Sequence, residues 1–546
     1  MKKTILLFIF ILSQNLFCQN ILTENQKLVA TCKVWGFLKY YHPKVANGEF
    51  NWDKQLFEIL PKIDQAKTKD EFSLVLETWI NSLGEIKEIA PIVTPKDIEY
   101  FDKNFDLSWI DKNKLFSIKL SKKLRYIEKN RMQGNQFYVA KFNAGNIFVK
   151  NEDYSSYNFI DKKEKLIGLF MYWNLVEYFF PYKYKMDKNW DITLQEMMPN
   201  FNNSENKEFF YLALEKLTVR LNDSHTMFFR YYKRGIHRLP IVSKIIDDKM
   251  IVTEILDSVV VKVDGIKTGD LITEINDKTI KELIYNQKEL IGASNEASFL
   301  NKTAQTLIAG SGENIKLNLN INGINTQKII NWTDYNETIY TLNEKNKKKK
   351  FKLLDNNIGY VNMGQITVKN VPEMINNLKN TKAIVFDLRN YPKETYAEIS
   401  NFLNANEKTF AIYTIPDLTY PGKFIWKEGT STGSNNPDNY KGKVIVLLNE
   451  DSISQPEWTA MCFQTVGNTT IVGSQTGGAD GNVTELNYIK ECMTRFTGLG
   501  VYYPDRRETQ RIGIIPDIEV KPTILGIQQG KDEVLDRAIE FIETGK

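Results

Sequence analysis

The chain has 546 residues, of which 42% are hydrophobic, a composition that argues against intrinsic disorder and predicts three or four domains. Its net charge of +4 is small and its lysines are dispersed along the chain, so no nucleic-acid partner is indicated. The three histidines and four cysteines show no ligand or disulfide spacing, and we expect neither a metal nor another cofactor.

Residues 1–18 have the pattern of a secretory signal peptide, because Met1-Lys-Lys precedes an apolar run from Ile5 to Leu12. This run is too short for a stable membrane span, and no other stretch is long and apolar enough. Cys18 follows Phe17 rather than a small residue, which disfavours a lipoprotein. We therefore expect an exported protein, periplasmic or extracellular.

An internal repeat fills the N-terminal half. Trp35 and Asn51-Trp-Asp53 recur as Trp173 and Asn189-Trp-Asp191, a constant offset of 138 residues (189 − 51). The pattern predicts amphipathic helices in each copy, with the aromatic residues in the core and proline at the breaks. The sequence thus predicts an accessory module over residues 22–150, which is helical and then β-leaning. A second helical copy is predicted over residues 151–236.

A change to short alternating strands marks residues 237–333. Residues 265–280 resemble the signature of a PDZ domain, in which Gly-x-x-x-Gly-Asp turns into a strand. PDZ domains bind peptide C termini by strand addition, but the expected carboxylate loop from His237 to Ile241 lacks glycines, so a structural or gating role stays open. We expect a separable PDZ-like, β-rich module followed by a basic linker over 334–350.

Strand and helix patterns alternate in the last part of the chain, residues 351–546. This alternation predicts βαβ units and a largely parallel sheet, and therefore a multidomain α/β protein. The expected strands are 358–362, 384–389, 410–414 and 444–448. Helices are expected at 371–378 and 396–403.

The apolar run 444–448 is followed by a polar turn and then by a helix that begins near Pro456. A serine on such a turn has its hydroxyl lifted clear of the sheet, beside backbone N–H groups that can hold an oxyanion. Ser452 and Ser454 both lie in this turn. Either one could instead simply cap the helix.

Five stretches resemble the C-terminal processing (tail-specific) and tricorn-type serine peptidase family: residues 449–457, 471–478, 496–505, 510–517 and 530–536. The resemblance covers about the last 300 residues. It implies a crotonase-like ββα core and makes Ser454, three residues before Glu457, the nucleophile. Glu457, Gly477 and Gly478 are supporting residues in this pattern. The oxyanion donors implied are the backbone N–H groups of Gln455 and Lys393, although the turn before Lys393 lacks the family's glycines.

The sequence Leu221-Asn-Asp-Ser-His225-Thr is similar to the family's histidine motif, and the first repeat copy has Lys87 in place of His225. The lysine used by tail-specific members falls on Ala479, so the tricorn-type plan is implied. It makes His225 the base, with an acidic limb of activity at about pH 6 to 7. Ser224 is its neighbour, and the late orienting position, which is acidic in the family, falls on Gln510, whose amide could accept the imidazole N–H. Asp223 and Asp505 are further candidates for that position.

The sequence therefore predicts an exported serine endopeptidase that cleaves peptides or unfolded polypeptides through an acyl-enzyme. The alternative is a non-catalytic peptide-binding protein on a decayed peptidase core, which the missing lysine and the altered oxyanion turn favour. Covalent labelling of Ser454 separates the two. Oligomeric state is left open.

Overall fold

The computed structural model describes six ranges of the chain: 22–230, 237–256, 265–321, 323–334, 350–489 and 492–546. The expected signal peptide and most of the expected basic linker lie outside them. Across the described ranges, no helix combines the length and the apolar character needed to cross a membrane.

The first repeat copy is helical. Its helices are α1 (Glu24–Tyr41), α2 (Pro43–Ala46), α3 (Trp52–Gln65) and α4 (Lys69–Ser82). The segment after it was expected to lean towards β-structure, but its longest element is a helix. That segment contains β1 (Tyr100–Phe101), α5 (Trp109–Lys112), α6 (Ile118–Lys129), β2 (Val139–Lys141) and β3 (Ile147–Val149). Leu120, Leu124 and Ile127 are buried on one face of α6, which explains the helix by its apolar spacing.

The second copy repeats the same layout. It consists of α7 (Lys162–Phe179), a 3₁₀ turn (Lys183–Lys185), α8 (Trp190–Asn202) and α9 (Lys207–Val219), followed by β4 (Met227–Arg230). In each copy two buried tryptophans donate to each other's backbone carbonyl. Trp35 and Trp52 do so at 3.5 and 3.2 Å, and Trp173 and Trp190 at 3.0 Å in both directions. The aromatic residues are therefore core.

Helices α1 and α7 pack side by side and touch at equivalent positions of the two copies. Glu24 forms an ion pair with Lys162, 138 residues further along. A Cβ atom at Gly36 would lie 1.8 Å from Asn174 Oδ1, and the rings of Tyr40 and Tyr178 are 5.3 Å apart. These contacts make α1 and α7 parallel and relate the two copies by a local twofold axis.

The middle module, residues 237–334, is β-rich with two helices. Its elements are β5 (His237–Arg238), β6 (Ile241–Ile246), β7 (Lys249–Ile255), β8 (Leu271–Ile275), β9 (Lys278–Thr279), α10 (Ile280–Gln287), α11 (Glu296–Leu307), β10 (Ala309–Gly310), β11 (Asn314–Ile321), β12 (Ile324–Asn331) and β13 (Thr333–Asp334). The main sheet has the order β12-β11-β8-β7-β6, all antiparallel. A small sheet joins β10, β5 and β13. The PDZ-like assignment of this module stays a prediction.

The core from residue 350 onwards contains a six-stranded sheet. Its elements in chain order are β14 (Phe351–Leu354), β15 (Ile358–Asn362), α12 (Val371–Leu378), β16 (Ala383–Asp387), α13 (Tyr396–Leu403), β17 (Lys408–Pro416), β18 (Phe424–Thr432), β19 (Lys443–Leu448), α14 (Gln455–Phe463), β20 (Thr469–Gly473), β21 (Val483–Ile489), β22 (Cys492–Thr497), β23 (Gly500–Tyr502), β24 (Ile518–Glu519), α15 (Ile524–Gln528) and α16 (Glu533–Thr544). The sheet order is β14-β15-β16-β19-β20-β24, parallel except for β14.

Both faces of this sheet are buried, which is why its strands are continuously apolar. In β19, Val444, Val446 and Leu448 face the core formed with α12, α13 and α14. Ile445 and Leu447 face the opposite core, formed with α16. The strand, turn and helix expected around residue 450 are present, with the turn at the carboxyl end of β19.

One predicted strand lies elsewhere. The segment 410–414 was expected in the parallel sheet, but β17 belongs to an antiparallel sheet of order β1-β18-β17-β23. A connection of only seven residues, 417–423, joins β17 to β18, and so short a connection pairs strands antiparallel, whereas a parallel neighbour needs a longer crossover. A third sheet joins β21, β22 and β4, so the second helical copy and the core share a sheet.

Candidate active site

Ser454 is the N-cap residue of α14 and has an unusual backbone conformation. Its φ is 72° and its ψ is −117°. An ordinary N-cap residue has β-region dihedrals, and positive φ is costly for a residue with a Cβ atom. The side chain is half-buried at the carboxyl end of β19. Capping alone therefore does not explain this conformation, which is typical of a nucleophile on a sharp strand-to-helix turn.

Glu457 holds the turn in place from inside the protein. Its buried carboxylate accepts hydrogen bonds from the backbone N–H groups of Ser454 (3.1 Å), Gly478 (2.8 Å) and Ala479 (3.0 Å), and from the Thr476 hydroxyl. Burial raises the pKa of Glu457, while these hydrogen bonds act in the opposite direction. Two of the three supporting residues expected from the sequence, Glu457 and Gly478, thus contact each other directly.

Ser452, the other serine of the turn, is a structural residue. It is fully buried, and its hydroxyl donates to the Leu388 carbonyl at 2.8 Å and accepts from the Asn449 N–H at 3.2 Å. Gly477 N–H donates to the Ser452 carbonyl at 3.1 Å, which places the third supporting residue beside the turn. Of the two serines, only Ser454 is available to a substrate.

The two oxyanion donors expected from the sequence differ in position. Gln455 is the first residue of α14, where a backbone N–H has no acceptor within the helix. Lys393 lies exposed in the loop after β16, and the described hydrogen bonds of the Ser454 turn do not include it. The Gln455 N–H is therefore the better placed donor.

His225 is buried between the second helical copy and β22. Its Nδ1 lies 2.9 Å from Thr497 Oγ1, and that hydroxyl lies 2.8 Å from Asp223 Oδ1. Because a carboxylate can only accept, Thr497 donates its proton to Asp223 and accepts from Nδ1–H of the imidazole. A neutral His225 then carries its lone pair on Nε2. This is the tautomer that a general base requires.

Burial lowers the pKa of His225 to about 4, against the pull of the neighbouring Asp223 carboxylate. The cations of Arg495 and Lys302 lower the pKa further. Arg495 also donates to the His225 carbonyl at 3.1 Å. The imidazole is therefore neutral at neutral pH, as a general base requires.

The structure corrects the expected role of Gln510. Its Nε2 donates to Asp223 Oδ1 at 3.1 Å, so it supports the carboxylate, and its Oε1 accepts no hydrogen bond from the imidazole in the described structure. Asp223, one of the further candidates, also accepts from the backbone N–H of His225 and of Thr497, at 3.1 and 2.7 Å. Asp505 is wrong as a candidate, because it lies in an exposed turn and pairs with Arg507 at 2.7 Å.

Ser224 connects the base to the loop beside the nucleophile. Its hydroxyl donates to the Gly477 carbonyl at 2.6 Å. Gly477 in turn binds the Ser452 carbonyl, so the His225 loop and the Ser454 turn meet at one short segment. Between Ser454 and His225 themselves, both within the described ranges, there is no hydrogen bond. In ligand-free sites, catalytic hydrogen bonds often form only with bound substrate.

Thr497 is the residue that sequence reasoning missed. Strand β4 pairs antiparallel with β22, and Met227 lies opposite Arg495. If this register is extended by two residues, His225 lies opposite Thr497. Thr497 lies inside the stretch 496–505, in which the resemblance assigns it no role. A pairing between strands so far apart in the chain leaves no local signal.

Residues 357–520 match the family model of peptidase family S41. Among solved structures, mature CPAF complexed with lactacystin is similar with a TM-score of 0.57 and 13% identity, over 70% of this chain and 99% of that one. The photosystem II D1 C-terminal processing protease aligns with a TM-score of 0.40 and 13% identity, over 68% and 98% of the two chains. The tricorn protease aligns with a TM-score of 0.34 and 16% identity, over 71% and 36%. No curated protein matches the chain.

Proposed function

Because this chain contains a domain of peptidase family S41, we propose that it is a serine endopeptidase with Ser454 as nucleophile and His225 as base. The observation that carries the proposal is the positive φ of Ser454 at the start of a helix. Such strain persists only where the surrounding structure enforces it, and here the buried Glu457 carboxylate does so through the Ser454 N–H.

The reaction proceeds by acyl transfer. Ser454 Oγ attacks the carbonyl carbon of the scissile peptide bond while His225 Nε2 takes the hydroxyl proton. The Gln455 N–H stabilises the oxyanion of the tetrahedral intermediate. His225 then gives the proton to the leaving amine, the C–N bond breaks, and water hydrolyses the acyl-enzyme by the same proton transfers in reverse order.

Thr497 and Asp223 together take the place of a carboxylate bound directly to the imidazole. The Thr497 hydroxyl keeps the proton of neutral His225 on Nδ1. Asp223 stabilises the imidazolium that forms in the transition state, through the hydroxyl and across a short distance. Gln510 and two backbone N–H groups keep Asp223 in place.

The substrates we propose are peptides or unfolded polypeptides, since the family acts on peptide bonds. Export to the periplasm or beyond is likewise a proposal. It is supported by the pattern of residues 1–18. N-terminal sequencing of the protein recovered outside the cytoplasm tests it.

Labelling with a fluorophosphonate probe tests the catalytic assignment. We expect the wild type to be labelled on Ser454 and to cleave unfolded casein, and Ser454→Ala to lose labelling and about 10⁶-fold of the turnover. Ser434→Ala, on an exposed loop, is the matched control and keeps both. A folded wild type that binds peptides but is neither labelled nor active would instead be the non-catalytic binding protein.

Ser452→Ala is unsuitable as a neutral control. Deleting its hydroxyl leaves a buried Leu388 carbonyl and a buried Asn449 N–H without that partner. We expect a loss of about 1 to 3 kcal/mol of stability.

A further inference from the structure

Helix α11 of the middle module lies against both halves of the candidate active site. The segment 294–302, which includes the start of α11, contacts the His225 loop and the turn that carries Ser454. Each set includes a contact from one of two adjacent residues of the helix, Asn301 and Lys302. One rigid element thus touches the base side and the nucleophile side together.

On the base side, Lys302 is the central contact. Its Nζ donates to the Ser224 carbonyl at 2.6 Å and to the Thr226 carbonyl at 3.4 Å, on either side of His225. Ser294 Oγ accepts from the Ser224 N–H at 2.8 Å, and Ser298 Oγ lies 2.8 Å from Ser224 Oγ. The loop is therefore held through its backbone before and after the imidazole.

On the nucleophile side, Asn301 and Lys244 bind the turn after β19. Asn301 Nδ2 donates to Asp451 Oδ1 at 2.7 Å and to the Glu450 carbonyl at 3.4 Å. Lys244, from β6 of the same module, forms an ion pair with Glu450. Asn295, at the start of α11, donates to the Thr476 carbonyl at 2.8 Å, next to the loop that binds Glu457.

From these contacts we infer that Asn301 and Lys302 are positioning residues, which set the distance and orientation of Ser454 relative to His225. The inference rests on the proposed roles of those two residues. No hydrogen bond between Ser454 and His225 fixes their geometry in the described structure, so it depends on the elements that hold the two loops, and α11 contacts both of them. A misplacement of about 1 Å at such a site costs about 10²-fold in rate.

Lys302 has an electrostatic effect in addition to its geometric one. Among the described residues, the charged groups that act on the pKa of His225 are Asp223 beside it, Arg495 from β22 and Lys302 from α11. Removing the Lys302 cation removes one charge that opposes protonation of the imidazole, so His225 should protonate at a higher pH.

The first experiment compares Lys302→Met, Asn301→Ala and Lys302→Arg with the wild type on a short chromogenic peptide. We expect kcat to fall by about 10- to 100-fold in the first two variants, with KM changed less than about twofold, and Lys302→Arg to recover part of the loss. Lys278→Met, on the exposed strand β9 of the same module, is the matched control and keeps wild-type kcat. Equal kcat in wild type, Lys302→Met and Asn301→Ala would overturn the inference.

The second experiment needs no activity. The chain has only three histidines, so labelling with ¹³C-histidine allows the His225 resonance to be followed by NMR, assigned by its loss in His225→Gln. Its titration midpoint should rise in Lys302→Met and stay unchanged in Lys278→Met. An unchanged midpoint in a folded Lys302→Met would contradict the electrostatic effect. If Lys302→Met does not fold, the rate at which the fluorophosphonate probe labels Ser454 in Asn301→Ala tests the positioning role. A rate equal to that of the wild type would contradict it.

The two proposals fail in different ways. A wild type that is never labelled at Ser454 refutes the peptidase, while the His225 titration still reports on Lys302. The contacts also revise the expected separability of the middle module. Deleting residues 239–332 removes the support for both catalytic groups, so activity on short and on long substrates should be lost equally.

Discussion

His225 Nδ1 and Thr497 Oγ1 lie 2.9 Å apart, and a threonine hydroxyl thus stands between the base and its carboxylate. Thr497→Val keeps the shape of the side chain and removes the hydroxyl. We expect kcat/KM on a short peptide to fall by about 10²-fold, because the imidazole loses the contact that selects its tautomer. Thr497→Ser should keep most of the activity.

The matched control for this change is Thr494→Val, which alters a buried threonine of the same strand whose side chain forms no hydrogen bond with His225 in the described structure. Wild-type kcat/KM in Thr497→Val would mean that His225 needs no orienting partner.

The acidic limb of activity should lie near pH 4 rather than at the ordinary histidine value. Burial is the main cause of the lowered pKa of His225, which is about 4. The unfolded chain takes up this proton at about pH 6.5, so His225 also makes the fold less stable as pH falls from about 6.5 to about 4. Initial rates and circular dichroism recorded together from pH 3.5 to 8 separate the two effects. A limb at about pH 6.5 with the fold intact would show that substrate or solvent raises the pKa.

Gln510→Glu should weaken the enzyme, although the family pattern has an acid at this place. Gln510 donates to Asp223, and both side chains are fully buried. A glutamate would bring a second carboxylate against Asp223 and remove a donor. We expect a lower melting temperature and at least about a tenfold loss of kcat/KM. Gln510→Met, which removes the donor without adding charge, should be milder. A gain of activity in Gln510→Glu would restore the residue as the direct orienting group.

Asp480→Asn should stabilise the protein above pH 4. Both carboxyl oxygens of Asp480 are buried without a hydrogen-bond partner in the described structure. Burial, with Glu457 nearby, raises the pKa of Asp480 well above its usual range. The folded state therefore retains a proton that the unfolded state loses at about pH 3.9, and wild-type stability falls as pH rises from there to the folded pKa.

Asp480→Asn has no carboxyl group to ionise, so its stability should not fall in this way as pH rises. The difference in urea midpoint between variant and wild type should therefore be near zero at pH 4 and grow towards pH 8. Asp505→Asn serves as the control. The Arg507 partner lowers the pKa of Asp505, so the effect of this substitution on stability should depend on pH in the opposite direction. A gain for Asp480→Asn that is the same at pH 4 and pH 8 would exclude ionisation as the cause.

The nucleophile turn is predictable from sequence because its signals are local. An apolar strand, a polar turn and an apolar helix follow one another within about 20 residues, and both faces of the strand are buried. The helical copies are predictable for the same reason, since their apolar spacing repeats at a fixed offset. The fold of these parts needs no information from distant residues.

Other parts depend on contacts between distant segments. Thr497 reaches His225 only because β22 pairs with β4, and Gln510 is drawn away from the imidazole by Asp223. Strand β17 leaves the parallel sheet because β18, its hairpin partner, follows it closely. The role of Lys302 has no sequence signal, since an isolated lysine on a helix is usually a solvated one.

The contacts between equivalent positions on α1 and α7 have one more consequence. In a symmetric homodimer, the two subunits contact each other through the same surface, as the two copies do here. With both copies on one chain, the pairing is intramolecular and does not weaken when the protein is diluted. In a homodimer of one copy, the loop after the last helix of each subunit would have the same sequence, so both loops would carry the same residue. In the duplicated chain His225 occupies that loop in one copy and Lys87 in the other, so symmetry in the scaffold coexists with a single base.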